Sequence, residues 1–166
     1  MGNDAKRSGA VIRGIGPDAR EAVGAFLRER WSSTEMAVHG QVFDLSEADG
    51  LYAEEDGEIT GLVTYRIEGN EMEILSLDSV NEREGTGTRL LEGAAAKARE
   101  AGCALVRLTT TNDNLEALRF YQKRGFDLAA LRRNAVDEAR KLKPQIPFTG
   151  NDGIPIRHEI ELERKL

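Results

Sequence analysis

With a single cysteine, Cys103, among 166 residues, the chain cannot form an internal disulfide or a metal site built from several thiolates. Its two histidines, His39 and His158, lie far apart and have no further ligands at a metal-binding spacing. No apolar run approaches the ~20 residues of a membrane-crossing helix. The opening MGNDAKRSGA has no apolar signal core, so residues 1–9 read as a loose leader, and Lys6 stands where a myristoylation signal wants Ser or Thr. Positive charge is also in deficit: 23 Lys and Arg face 29 Asp and Glu, a net charge of -6. The densest basic stretch, Arg140 to Lys143, has only three cations, so nucleic acid and acidic membranes are not expected partners. No repeat, low-complexity tract or long linker divides the chain.

What remains is the composition of one globular, cytoplasmic domain spanning residues 1–166: 40% hydrophobic and 31% charged, long enough to bury a core unaided. Patterning places strands at residues 11–15, 51–53, 61–66, 71–77 and 104–109, another from Phe126, and a last, half-exposed one within 154–162. Pro17-Asp18 opens a helix running to Trp31, and Ser32 and Ser33 can cap a second, short helix ending near His39-Gly40. Further helices are expected at 86–100, 115–124 and 135–142. Hairpin-like strands followed by alternating helices and strands mean an α/β (α+β) fold with a mixed sheet, antiparallel in its N-terminal half. Cys103 follows the helix stop Ala101-Gly102 and reads as a small buried residue entering a strand.

Two segments carry chemistry. In the first, a strand runs into Gly85-Thr86-Gly87 at a helix start, where unpaired backbone N–H groups and the helix dipole favour an anion. Leu90 stands where a dinucleotide fingerprint needs its third glycine, and the Gly-Lys-Ser/Thr of a nucleotide P-loop is absent. In the second, Asn114, Ala117 and Tyr121 share one helical face, and Gly125-Phe126 ends that helix.

Together and in this order the two segments resemble the GNAT superfamily of acyl-CoA-dependent N-acyltransferases. Gly85 and Gly87 match its pyrophosphate loop; Asn114, Ala117, Tyr121, Gly125 and Phe126 match its second motif, and the resemblance covers residues 51–131. One departure is Glu82, where the family has Arg or Gln; Arg83 or Arg89 then supplies the cation, or the loop relies on backbone donors alone. The resemblance implies a mixed sheet of about seven strands, splayed at its central strands and flanked by helices on both faces. It implies acetyl-CoA as cofactor, its pantetheine arm on the backbone of Ser76, Leu77 and Asp78 and its pyrophosphate on the loop of Arg83, Glu84, Gly85, Thr86, Gly87 and Thr88. The Leu77 N–H would polarise the thioester, the Asn114 amide would hold the arm, and Tyr121 would protonate the leaving thiolate.

For deprotonating the amine, Glu73 is the candidate, Glu71 the competitor, and a water relay or a plain ion-paired strand carboxylate the alternatives. Trp31, His39, His158 and the loop 144–155 are the candidates for shaping acceptor choice. The acceptor would be a small-molecule primary amine, or alternatively a peptide N-terminus or lysine, with a homodimer left open. A non-catalytic acyl-CoA sensor is the different-class alternative, and Tyr121 favours the enzyme.

Overall fold

The computed structural model describes residues 9–81 and 85–166. The leader residues 1–8 and three loop residues, Glu82, Arg83 and Glu84, lie outside the described residues. The strands are β1 (Val11–Gly14), β2 (Glu35–Val38), β3 (Gln41–Asp44), β4 (Asp49–Glu55), β5 (Glu58–Glu68), β6 (Glu71–Ser79), β7 (Leu105–Thr111), β8 (Asp127–Arg132) and β9 (Glu159–Lys165). The helices are α1 (Arg20–Trp31), α2 (Thr86–Glu100), α3 (Leu115–Lys123) and α4 (Ala135–Leu142). Seven strands form one sheet in the order β1-β4-β5-β6-β7-β9-β8, and β2 pairs with β3 apart from it. Every pairing is antiparallel except β6 with β7. No described helix is long and apolar enough to cross a membrane.

Helices cover both faces. Leu90, Leu91, Ala94 and Ala98 of α2, all 0% exposed, pack with Ala53, Val63, Met72, Ile74 and Val106 of the sheet, and Tyr121 of α3 joins them. The small alanines bring α2 close: a Cβ at Gly61 on β5 would lie 2.8 Å from Leu90 Cδ1. On the other face Val23, Phe26 and Leu27 of α1 meet Leu62 and Leu75.

The short helix expected after Ser32 and Ser33 is absent. Ser32 instead ends α1 in the left-handed conformation (φ 63°), its N–H bonded to Arg28 O. The next residues pair as a hairpin across His39 (φ 53°) and Gly40 (φ 71°), two positive φ values that suit a tight two-residue turn between right-twisted strands. The last strand also differs. It begins at Glu159, after Pro155 has interrupted the alternating run, and it lies between β7 and β8, with Glu159 and Leu162 buried. The alternation at 154–162 carried no information about that insertion. Upstream, Arg140 orders the loop by donating to the carbonyls of Ile146, Pro147 and Ile156.

The central strands part. β6 and β7 pair only over Glu71–Ile74 and Leu105–Leu108. Opposite β5 the register shifts: Thr64 faces Ser76 while Tyr65 faces Ile74, so Leu75 is an extra residue, a β-bulge. Leu75 packs on the α1 side and the Ser76 hydroxyl hydrogen-bonds that of Thr64, so two successive side chains leave β6 toward the same face.

Candidate active site

The parting strands open onto a cavity of about 550 Å3 lined by Leu77, Gly85, Gly87, Asn114, Tyr121 and Arg124, among others. Of the residues expected at the site, the structure brings Leu77, Asp78, Gly85, Gly87, Thr88, Asn114 and Tyr121 to this cavity. Ser76 faces Thr64 instead, and Thr86 is buried at 4% exposure. Arg83 and Glu84 lie outside the described residues.

The β6 arm offers backbone donors and acceptors in alternation. The N–H of Val80 reaches Thr60 O in register with the β5–β6 ladder. The antiparallel pattern then commits the backbone of Ser76 and Asp78 to β5 and turns that of Leu77 away from it, toward the opening. The Asp78 side chain is clasped by Arg30 of α1, with Nε–Oδ2 at 2.7 Å and Nη2–Oδ1 at 2.9 Å.

At the start of α2, Gly85 adopts φ 80°, which a side chain would strain. The first-turn N–H groups, lacking helical acceptors, make this an anion-favouring end. Arg89, one of the two cations proposed for the loop, turns to the Ala10 carbonyl at 2.8 Å. A different cation lies at the cavity: Arg124 donates Nε–H to Thr88 Oγ1 at 2.8 Å and stacks over Phe120 at 3.7 Å from the ring centroid. Arg119 and Lys123 of α3 also line it. In sequence, Lys123 and Arg124 are merely the cations that suit a helix end, so they carried no separate signal.

Asn114 caps α3, its Oδ1 accepting from the Ala117 N–H at 3.1 Å, which leaves the amide nitrogen as its donor. Tyr121 is 7% exposed and meets the rings of Phe120 and Phe126 edge-on, at centroid distances of 5.1 and 5.3 Å. Burial pushes its phenol well above the ordinary tyrosine range, so it keeps its proton across neutral pH.

Glu73 lies on the opposite face of the sheet. It is 3% exposed; Oε2 accepts from Arg107 at 2.6 Å and meets His39 Nε2 at 3.2 Å, while Arg66 is 3.6 Å from Oε1. Glu71 reaches Arg107 at 3.1 Å and is more exposed. His158 is engaged elsewhere, Nδ1 accepting from the Asn134 N–H at 2.9 Å, and Trp31 lies half-exposed at the end of α1.

Residues 17–126 match the model of the acetyltransferase (GNAT) family. The chain is 47% identical over 143 residues to the uncharacterized protein YdhI of Bacillus subtilis (strain 168), covering 86% of this chain and 89% of that one. It is 45% identical over 148 residues to the uncharacterized protein YxbD of the same organism, covering 89% and 93%. Its fold matches that of a GNAT family acetyltransferase from Elizabethkingia anophelis with acetyl-CoA bound, with a TM-score of 0.68 and 20% identity, covering 96% of this chain and 99% of that one.

Proposed function

The chain belongs to the GNAT acetyltransferase family, and on that premise we propose that it transfers an acetyl group from acetyl-CoA to a primary amine by direct attack, in the cytoplasm. The observation that carries this reading is the meeting, in one cavity, of the α2 N-terminus, the outward-turned backbone of β6 and a buried, protonated tyrosine. Those residues suit the cofactor's parts. Backbone donors at Gly85 and Gly87, with Arg124 beside them, suit a pyrophosphate; Leu77 and the Asn114 amide suit an amide-rich arm. When bound, acetyl-CoA supplies an acyl thioester open to attack by an amine.

The roles assigned to this chain's own groups follow from their chemistry. The Leu77 N–H donates toward the thioester oxygen as negative charge builds there. Tyr121 gives its proton to the leaving sulfur, a transfer that needs a phenol kept neutral until that moment. Glu73 serves the deprotonating side, across the sheet from Tyr121. Direct attack is favoured because Cys103, the only thiol, is packed in the core and is no part of the cavity lining.

Calorimetric titration of acetyl-CoA tests the reading first, followed by thiol release on adding primary amines. Binding in the micromolar range, about -8 kcal/mol, together with amine-dependent thiol release is expected. Absence of acetyl-CoA binding would overturn it. Binding without release to any amine would turn the reading to a sensor.

A further inference from the structure

The hairpin turn that sequence patterning did not anticipate has a chemical consequence. His39 holds a left-handed backbone (φ 53°) that Asn or Gly adopts at lower cost, and it carries a bulky ring there. The turn delivers that ring to the point where the strands part. Its Nε2 is 3.2 Å from Glu73, in the last paired stretch of β6, and 3.5 Å from the Oγ1 of Thr109, the first β7 residue beyond the pairing. Glu73, 3% exposed and tied to Arg107, is poorly placed to touch a substrate, whereas His39, with its side chain 21% exposed, is accessible.

Close by lies a second buried carboxylate. Glu159 of β9 is 5% exposed, and among the described residues no hydrogen bond or ion pair reaches its side chain. The charges that act on it are His39 from the hairpin, Arg132 from β8 and Glu73 from β6. Arg132 and Arg107 are instead drawn to Glu161, at 2.7 and 3.8 Å, and Arg66 of β5 to Glu73 and Glu68. A carboxylate largely withdrawn from water without a matched cation is costly, and a ligand's ammonium would complete it.

We propose that these groups form the acceptor site: Glu159 holds the substrate's ammonium, and His39, oriented by Glu73, takes its proton. The proposal rests on the acetyl-transfer reading and names the group that touches the amine. A carboxylate at Nε2 can only accept, so Nε2 carries hydrogen, and the nitrogen at which the neutral ring takes a proton is Nδ1. The ammonium yields one proton to Nδ1, and the resulting imidazolium is stabilised by Glu73. The freed amine forms the N–C bond as the C–S bond breaks. Tyr121 protonates the sulfur, the second amine proton restores the phenol, and the imidazolium releases the first proton to solvent. Cofactor and amine thus enter from opposite faces of the sheet and meet where β6 and β7 part.

Two variants of the full chain test it with ethanolamine, putrescine, tyramine and Nα-blocked lysine as acceptors. His39→Asn creates Asn-Gly, a favoured turn pair for this geometry, so folding and acetyl-CoA affinity should hold. Turnover at pH 7 should fall at least ~100-fold, and the deficit should narrow toward pH 9 as more amine arrives unprotonated, alkylammonium titrating near 10.4. Glu159→Gln should raise the amine KM about tenfold or more and leave the acetyl-CoA KM unchanged. Full turnover in His39→Asn across that pH range, or an unchanged amine KM in Glu159→Gln, overturns the acceptor site alone. Loss of acetyl-CoA binding by the unaltered chain overturns the acetyl-transfer reading beneath it.

Discussion

Replacing Tyr121 by Phe removes one oxygen from the site and leaves its packing in place. Both neighbouring rings still have an aromatic partner at the same centroid distances, each contact contributing roughly 0.5–1.5 kcal/mol beyond its buried area. Among the described residues the phenol oxygen has no hydrogen-bond partner, so its loss leaves no protein group unsatisfied, and stability should move by no more than about 0.5 kcal/mol. Tyr121→Ala, by contrast, would empty a buried site at a cost of about 3–5 kcal/mol and confound any rate measurement. A positioned general acid contributes on the order of 10² to 10⁴ in rate, so the Phe variant should lose at least about 2.7 kcal/mol of transition-state stabilisation.

The assay is single-turnover thiol release at saturating amine, paired with calorimetric titration of acetyl-CoA. The loss should fall on kcat, with cofactor affinity nearly intact. A second readout comes from the raised phenol pKa. A group whose folded pKa lies above its unfolded value contributes stability that is complete below the unfolded value, near 10 for tyrosine, and lost as pH rises beyond it. The Phe variant should therefore resist alkaline unfolding above about pH 10 better than the unaltered chain. Unchanged kcat in a folded Phe variant refutes the acid role outright.

Three other perturbations read different parts of the structure. Burial raises the Glu159 carboxyl pKa, with Glu73 adding to the rise and His39 and Arg132 opposing it; Glu159→Gln should therefore melt higher than the unaltered chain at pH 7, and the gap should close as pH falls through the raised folded value and be gone below the ordinary glutamate value near 4.3. Gly61→Ala places a methyl 2.8 Å from Leu90 Cδ1 and 3.0 Å from Thr86 Cγ2, and denaturant unfolding should report a loss of about 1–3 kcal/mol. Arg124→Ala removes the cation beside the α2 start, and calorimetry should find acetyl-CoA bound about tenfold more weakly, with a smaller dependence on salt.

What was legible in sequence was what local chemistry decides. Helix 86–100 was anticipated to the residue because Gly85 before it and Ala101-Gly102 after it are punctuation that works without tertiary context. Gly125 as the stop of α3 was legible for the same reason, whereas Asn114, read only as one member of a helical face, proves to be the cap as well. The segment at residues 32–40 failed because Ser32 and Ser33 are equally good letters for beginning a helix and for leaving one. Only the pairing of Met36 with Phe43 across His39-Gly40 decides between them, and that contact is not local. Glu159 was unremarkable for a related reason: an alternating tail gives no sign that it will be inserted between two strands already written. Glu73 was legible as a carboxylate of the strand that became β6, but its partners come from β7, β5 and the hairpin, elements its own neighbourhood does not announce.

The bulge at Leu75 links both halves of the proposed chemistry. A regular β6 would continue beside β7 past Ile74, its outward backbone groups consumed by the ladder, and no cofactor arm could pair there. The extra residue twists β6 away, and the local pairing that must compensate is visible: Leu75 fills space against α1, and the displaced hydroxyl of Ser76 is satisfied by Thr64. Upstream of the bulge the strands remain paired, which fixes Glu73 against Arg107 and holds the carboxylate rigidly at the apex. Downstream, Leu77 is turned toward the opening and Thr109 is released from β6 to meet His39. Donors for the thioester and groups for the amine are thus set on either side of one irregularity, so their spacing depends on β6 itself and not on the loops around it.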